Sequence, residues 1–377
     1  MKDRRPAEVF PPGEFLREEL EVRGWTQTDF AEILGRPVRL INEIIAGKRG
    51  ITPETAKGLG DALGSPPQYW LNLESAYQLW KVPEGDDTVA RRARLYARAP
   101  IKEMERRHWA ESTENVTVLE ARLLDFLGIK RLEDTIDWAH AARKSTPYSA
   151  VSPAQEVWLW RARRLAAVLQ AGSFAPRNID ELVPTLRNLV PNIEDLRLIP
   201  SILADAGIRF LVVEQLPRTK IDGVCFWLDQ QSPVIVMSLR FDRVDYFWHT
   251  FMHEMGHCKN SDGLTKPAAL DTDFDRQAEA GEKPASEKRA DAFATKTLIP
   301  QDALDDFISR VRPLYSALKI QGFANRIGVH PGIVVGQLQH RGEITYAQHR
   351  RMLSPIRQAI TQVALTDGWG HIAPIAA

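Results

Sequence analysis

Only two cysteines, Cys225 and Cys258, occur among 377 residues. They are too few for a disulfide framework, and that scarcity fits a reducing compartment. No apolar run reaches the roughly 18 residues needed to span a bilayer. The basic opening MKDRRPAEVFPPGEF has no apolar core behind it, so no secretion signal is expected. Net charge is missing too: Lys+Arg and Asp+Glu number 49 each. A global field that gathers nucleic acid is thereby excluded, and any DNA binding must come from a local patch. No internal repeat or low-complexity tract is visible. These absences lead us to expect a cytoplasmic protein without membrane contact.

What is present is ordinary globular composition, 44% hydrophobic and 26% charged, in a chain long enough for two or three domains. Short helical segments punctuated by Gly and Pro fill 13–80, and a looser helical pattern follows to about 195. Then the period changes. IRFLVVEQ (208–215), GVCFWLD (223–229) and PVIVMSL (233–239) are β-branched and aromatic runs that predict three strands in an antiparallel meander. Helical patterning resumes over FDRVDYFWHTFMHEMGHCKN and again after a long polar loop at 259–284. The expected fold class is mostly α with a small antiparallel sheet, α+β. The expected boundaries are 1–80 for an all-α helix-turn-helix bundle, 81–194 for a helical connecting region, 195–310 for a domain holding the strands and HEMGH, and 311–377 for a C-terminal helical segment.

HEMGH carries the chemistry. A helix repeats every 3.6 residues, so His253 and His257 share a face one turn apart and can reach one metal ion. Glu254 projects beside them as general base towards a metal-activated water. Chance alone puts HExxH in about one chain in a hundred of this length, so context matters. Val244, Phe247, Phe251, Met255 and Cys258 form an apolar stripe, with Thr250, His253 and His257 on another face, which predicts a helix that buries one side and offers its histidines from the other. Strands just upstream supply an edge for an extended peptide. A catalytic zinc has three protein ligands, and the third lies among Asp271, Asp273, Asp275, Glu279, Glu282, Glu287 and Asp291. Helical placement after an N-cap at Ser286 favours Glu287, with Asp291 positioned to orient a ligand histidine. His249, one turn before His253, is either an oxyanion partner or pocket wall. Cys258 reads as a small core residue.

HEMGH followed by EKRADAFATKTLIP resembles the ImmA/IrrE family of metallopeptidases, in which a helix of the form E-x-x-A-(N/D)-x-F-A…L-x-P follows the first motif. Glu287, Ala290, Asp291, Phe293, Ala294, Leu298 and Pro300 match in order, and the preceding strands with DGV (222–224) are similar as well. The resemblance implies one Zn2+ per chain held by His253, His257 and Glu287, with Glu254 as base. It also implies a zincin-like domain at 195–310 that cuts a partner repressor under stress. The long acidic loop between the two helices departs from the family pattern.

The N-terminal stretch GWTQTDFAEILGRPVRLINEIIAGKRGITPETAKGLGDALG (24–64) parses by caps and breaks. Thr26 with Asp29 predicts a capping box opening a helix at 27–34. Gly35-Arg36-Pro37 makes a turn, Val38–Ala46 forms a second helix ended by Gly47, and Thr52-Pro53 opens a third that Gly64 closes. Phe30, Ile33, Leu34, Ile41 and Ile45 are expected in the core. Gln27, Arg36, Arg39, Asn42, Lys48 and Arg49 are expected outside, with Arg39 and Asn42 facing base edges and Gln27, Lys48 and Arg49 facing phosphates. The whole of 11–80 resembles the HigA-like branch of Cro/C1-type repressors, through PGEFLREEL, ITPETA and YWLNLE. That resemblance implies a homodimer, formed through the N-terminal half, on operator DNA.

Elsewhere, Trp138, Trp158 and Trp160 read as core, and 91–109 as a basic solvated face. His330, His340 and His349 lack ligand spacing and are expected at the surface. FANRIGVHPGIVVGQLQHRG (323–342) predicts two helices around a tight turn, packed on the metal-helix domain. The expected protein is a DNA-binding regulator with a zinc endopeptidase that makes a regulatory cut in a repressor-like protein, itself included. The alternative is a HigA-like antitoxin with a toxin partner, in which the zinc domain is sensor or scaffold.

Overall fold

The computed structural model describes residues 8–83, 87–134, 152–264, 271–272 and 284–367. The chain divides into two compact units, Met1–Ala90 and Arg91–Ala377. Its class is α+β, with many helices and one small sheet.

In the first unit, five helices are set by local signals: α1 (Pro12–Arg23), α2 (Gln27–Leu34), α3 (Val38–Ile45), α4 (Pro53–Leu63) and α5 (Pro67–Lys81). The predicted capping box is present. Thr26 Oγ1 accepts from the Asp29 N–H at 3.1 Å, and Asp29 Oδ2 accepts from the Thr26 N–H at 2.8 Å. Thr52 Oγ1 caps α4 by accepting from the Thr55 N–H, without a reciprocal bond, and Gly35 takes the left-handed φ of 61° that lets α2 stop and turn within two residues of α3. Leu16, Phe30, Ile41, Ile44, Leu59 and Trp70 form the core. One expectation fails: Ile33 is 49% exposed. The buried arc of α2 is centred between Phe30, Ala31 and Leu34, and Ile33 lies about 100° from that centre at 100° per residue.

The division between units falls within α6 (Thr88–Arg98). There follow α7 (Ile101–Arg106), α8 (Val116–Leu127), α9 (Pro153–Ala167), α10 (Arg177–Leu189), α11 (Ile199–Asp205), β1 (Arg209–Val213), β2 (Ile221–Trp227), β3 (Pro233–Met237) and α12 (Val244–Lys259). The chain continues through β4 (Asp271–Thr272), α13 (Ala285–Leu298), α14 (Gln301–Val311), α15 (Ala317–Ile327), α16 (Pro331–His340), α17 (Arg357–Thr361) and β5 (Leu365–Asp367).

The sheet runs β4-β2-β3-β1-β5 and is mixed, not the expected antiparallel meander. β2 and β3 form an antiparallel hairpin, but β1 pairs parallel to both β3 and β5. The reason is visible in β1, which is apolar on both faces. Phe210 and Val212 enter one core, while Leu211 and Val213 enter the other. Such a strand suits the centre of a covered sheet with parallel neighbours better than the edge of a meander. Helices between 91 and 167, read from the sequence as a connection, cover one face through Leu95, Leu119, Trp158 and Ala162. Trp158 is fully buried and its indole N–H donates to the Glu214 carbonyl at 3.0 Å; Trp138 lies outside the described residues.

α12 lies on the other face, against β2, β3, α13 and α16. Thirteen of its sixteen residues are buried, so the expected one-sided amphipathic helix is corrected to one enclosed all round. α13 and β2 cover the face that bears the histidines. Gly328, at a φ of 67°, turns α15 towards α16, which packs on α12. His330 and His349 are half-buried instead of exposed: His330 Nδ1 caps α16 by accepting from the Gly332 N–H, and His349 Nε2 lies 2.7 Å from the Tyr315 carbonyl. Among the described residues no helix is long and apolar enough to cross a membrane.

Candidate functional site

One turn of α12 brings His253 and His257 together with their Nε2 atoms 2.9 Å apart. Glu287, in the first turn of α13, closes the triangle at 3.3 Å from His253 Nε2 and 3.4 Å from His257 Nε2. All three side chains are buried. These edges match the spacing of donor atoms around an ion with bonds of about 2 Å, and two imidazoles with one carboxylate are a donor set that holds a divalent metal. The outer nitrogens are occupied: Asp291 Oδ1 lies 2.9 Å from His253 Nδ1, and Asp262 Oδ2 lies 3.0 Å from His257 Nδ1. Each carboxylate fixes its ring so that Nε2 faces inward.

Electrostatics agree with that geometry. Burial works against charge on His257, but the Asp262 and Glu287 carboxylates outweigh it and hold its pKa up at about 9. Burial likewise opposes the ionised Glu287, and its hydrogen bonds to the two histidines outweigh it and hold the carboxyl below the usual range. Without a cation the triangle is a proton-sharing cluster, and a metal ion would take the place of the proton.

Two close approaches assemble the site. A Cβ built on Gly256 would stand 3.0 Å from Ala290 Cα, so the glycine of HEMGH and the alanine of EKRA are where α12 and α13 touch. On the opposite side, a Cβ on Gly223 would stand 2.9 Å from Glu254 Oε1 and 2.9 Å from Thr250 Cγ2. Glu254 is fully buried and lies against Gly223 of β2. Arg240 fixes the neighbouring strand position with two bonds to Asp222, at 2.7 and 2.8 Å.

Of the sequence candidates, His253, His257, Glu287, Glu254 and Asp291 come together. Half-buried His249 is not one of the three clustered donors. Asp273, Asp275, Glu279, Glu282 and the side chain of Asp271 lie outside the described residues. Ser286 is not the cap of α13, which starts one residue earlier behind Pro284. Asp262 escaped sequence reasoning, although an acid five residues after the second histidine, just past the helix end, was there to be read; Gly223 was noted only within DGV (222–224), without a role. Cys258 is buried, and a hydrogen bond between it and Cys225, followed by burial, pushes the Cys225 thiol well above its ordinary value. That is the signature of an inert core pair.

On the first unit, Arg36, Arg39, Asn42, Lys48 and Arg49 are all exposed and Gln27 half so. The arginines are engaged. Arg39 Nε donates to Glu43 Oε1 at 2.7 Å, Arg49 Nη1 donates to Glu43 Oε2 at 3.1 Å, and Arg36 pairs with Glu54. Glu43, absent from the sequence expectation, therefore offsets positive charge in the middle of the basic face.

Two short helices joined at Gly35 inside a five-helix bundle define a helix-turn-helix protein. The helix-turn-helix family model matches residues 16–70. An uncharacterized HTH-type transcriptional regulator, YddM, of Escherichia coli is 33% identical over 78 residues, covering 21% of this chain and 80% of that protein. Antitoxin HigA-1 of Vibrio cholerae is 38% identical over 78 residues, covering 20% of this chain and 70% of its own. Among solved structures, PA4674 of Pseudomonas aeruginosa in complex with its operator DNA is 32% identical, covering 20% of this chain and 82% of that one, with a TM-score of 0.20. Through its N-terminal unit the chain belongs to the helix-turn-helix family of DNA-binding transcriptional regulators. These matches each span about a fifth of it.

Proposed function

We propose that this regulator carries, in its second unit, a zinc-dependent endopeptidase that makes a regulatory cut in a repressor-like protein, itself included. The observation that carries the reading is the buried His253–His257–Glu287 triangle with both outer ring nitrogens held by carboxylates and a fully buried Glu254 beside it.

His253, His257 and Glu287 would hold the zinc, which when bound would supply Lewis-acid polarisation of a carbonyl and a lowered pKa for water. The chain's own residues do the rest. Glu254, packed against Gly223 on the residue next to His253, accepts the proton of the attacking water and passes it to the leaving amine. Asp291 and Asp262 keep the imidazoles in one tautomer. Burial of the site keeps bulk water from screening these interactions.

Glu254→Gln tests the peptidase reading. The variant is expected to keep one zinc per chain and to lose cleavage of a repressor-like substrate; cleavage that survives in it sinks the reading. For the first unit we infer operator binding as a homodimer, with α3 presented to the major groove. Arg39→Ala should weaken binding by about 1–3 kcal/mol, and wild-type binding should fall steeply with salt. Salt-insensitive binding to the chain's own upstream DNA refutes it.

The identity to an antitoxin favours a second reading, in which the first unit serves an antitoxin and the metal domain is a scaffold without turnover. Co-purification of a small toxin encoded next door, with no cleavage by wild-type protein, supports that reading over the first.

A further inference from the structure

The geometry assigns Asp262 as a positioning residue that couples the two motif helices, setting metal affinity through His257; this rests on the metal-site reading above. α12 ends in a particular way. Asn260 is its last half-helical residue, the Ser261 N–H donates to the Cys258 carbonyl at 3.1 Å, and the Asp262 N–H donates to the His257 carbonyl at 3.0 Å. This is the paired-bond ending in which the first residue past the cap adopts left-handed backbone, usually as glycine, and the second packs over the helix's last turn. Here Ser261 takes the left-handed φ of 54°, a conformation a residue with a Cβ adopts at a cost. The residue packed over the last turn is an aspartate, and what it covers is a metal-ligand candidate.

Three further contacts fix that aspartate. The Trp227 indole N–H, from the end of β2, donates to the Asp262 backbone carbonyl at 2.9 Å. Arg289, on α13 two residues after Glu287, reaches Asp262 Oδ1 at 3.4 Å, while Oδ2 faces His257 Nδ1 at 3.0 Å. One carboxylate thus touches a donor of α12 and the helix that brings the third donor, and the sheet holds its backbone. Asp291 does the same for His253 from within α13, so each histidine is oriented by an acid from a different segment. The left-handed turn at Ser261 places Asp262 over His257.

The test uses the full chain, loaded with Zn2+ or Co2+ alone and titrated against a chelator. Asp262→Asn should lower zinc affinity by about 10- to 100-fold and alter the visible absorption bands of the Co2+ form, while one metal per chain still binds at saturation. Ser261→Gly removes the strain but not the carboxylate. It should keep wild-type affinity and melt no lower than wild type without metal. If Asp262→Asn does not fold, Trp227→Phe decides, because it frees the loop backbone and should lower affinity while leaving every donor in place. Wild-type affinity and Co2+ bands in the folded Asp262→Asn variant, with only a lower melting temperature, overturn the assignment. If the wild-type chain binds neither metal, the metal-site reading falls, and this inference with it.

Discussion

Replacing Gly256 with alanine tests whether the donor triangle depends on the closeness of α12 and α13. The new methyl would stand 3.0 Å from Ala290 Cα, 3.3 Å from Phe293 Cδ1 and 3.4 Å from Ala290 Cβ. The nearest of these atoms is backbone and cannot step aside as a side-chain tip would, so α13 must move by a few tenths of an ångström. Two opposing terms act on stability. Overpacking costs about 1–3 kcal/mol, and exchanging a mid-helix glycine for alanine returns about 1 kcal/mol. The net cost is therefore about 0–2 kcal/mol, a shift of a few degrees in melting temperature for a unit this size. The metal is less forgiving. Donor distances are tolerated within about 0.2 Å, and Glu287 lies one turn from the contact, so zinc affinity should fall at least about tenfold, or about 1.4 kcal/mol. Chelator competition and calorimetry on the same preparation separate the two effects. A variant that melts higher than wild type with undiminished affinity refutes the claim that this contact sets the site.

Zinc affinity should also depend on pH. His257 holds its proton up to about pH 9 in the metal-free protein, so metal must displace it below that value. Apparent affinity should rise about tenfold per unit from pH 7 towards 9, and a flat profile by chelator competition contradicts this. Thr26→Ala removes the Oγ1 that accepts from the Asp29 N–H and leaves the backbone half of the α2 capping box in place; it should cost about 1 kcal/mol in melting of the first unit. Asp222→Ala leaves Arg240, whose side chain is only 11% exposed, without the carboxylate it now bonds twice. Breaking one partner of such a pair costs about 3–5 kcal/mol, readable as an earlier denaturant midpoint for the second unit. Gly223→Ala should reduce cleavage with zinc content unchanged, because the atoms nearest the added methyl belong to Glu254 and Thr250.

Much of this was legible locally. The caps at Thr26 and Thr52, the stop at Gly35 and the pairing of His253 with His257 follow from spacing within one helical turn or one cap, where the responsible atoms are close in sequence. What escaped depends on partners distant along the chain. β1 differs little in composition from a meander strand, and only the helices on both its faces give it a central place. The enclosure of α12 was hidden because α13 supplies its cover, and a mixed polar and apolar face reads as solvent-facing until a second helix is laid on it. Glu43 on the basic face was passed over because base-reading was sought among cations, yet its two oxygens each take an arginine.

The enclosure of α12 also bears on how the motif persists. A helix buried on every side gives its residues little freedom to drift. An apolar replacement for His253 would have to fill a space shaped for imidazole, and a smaller one would leave a void in the middle of the unit. Packing therefore constrains the His253 position of HEMGH together with chemistry. The presence of the motif reports first on the integrity of the core.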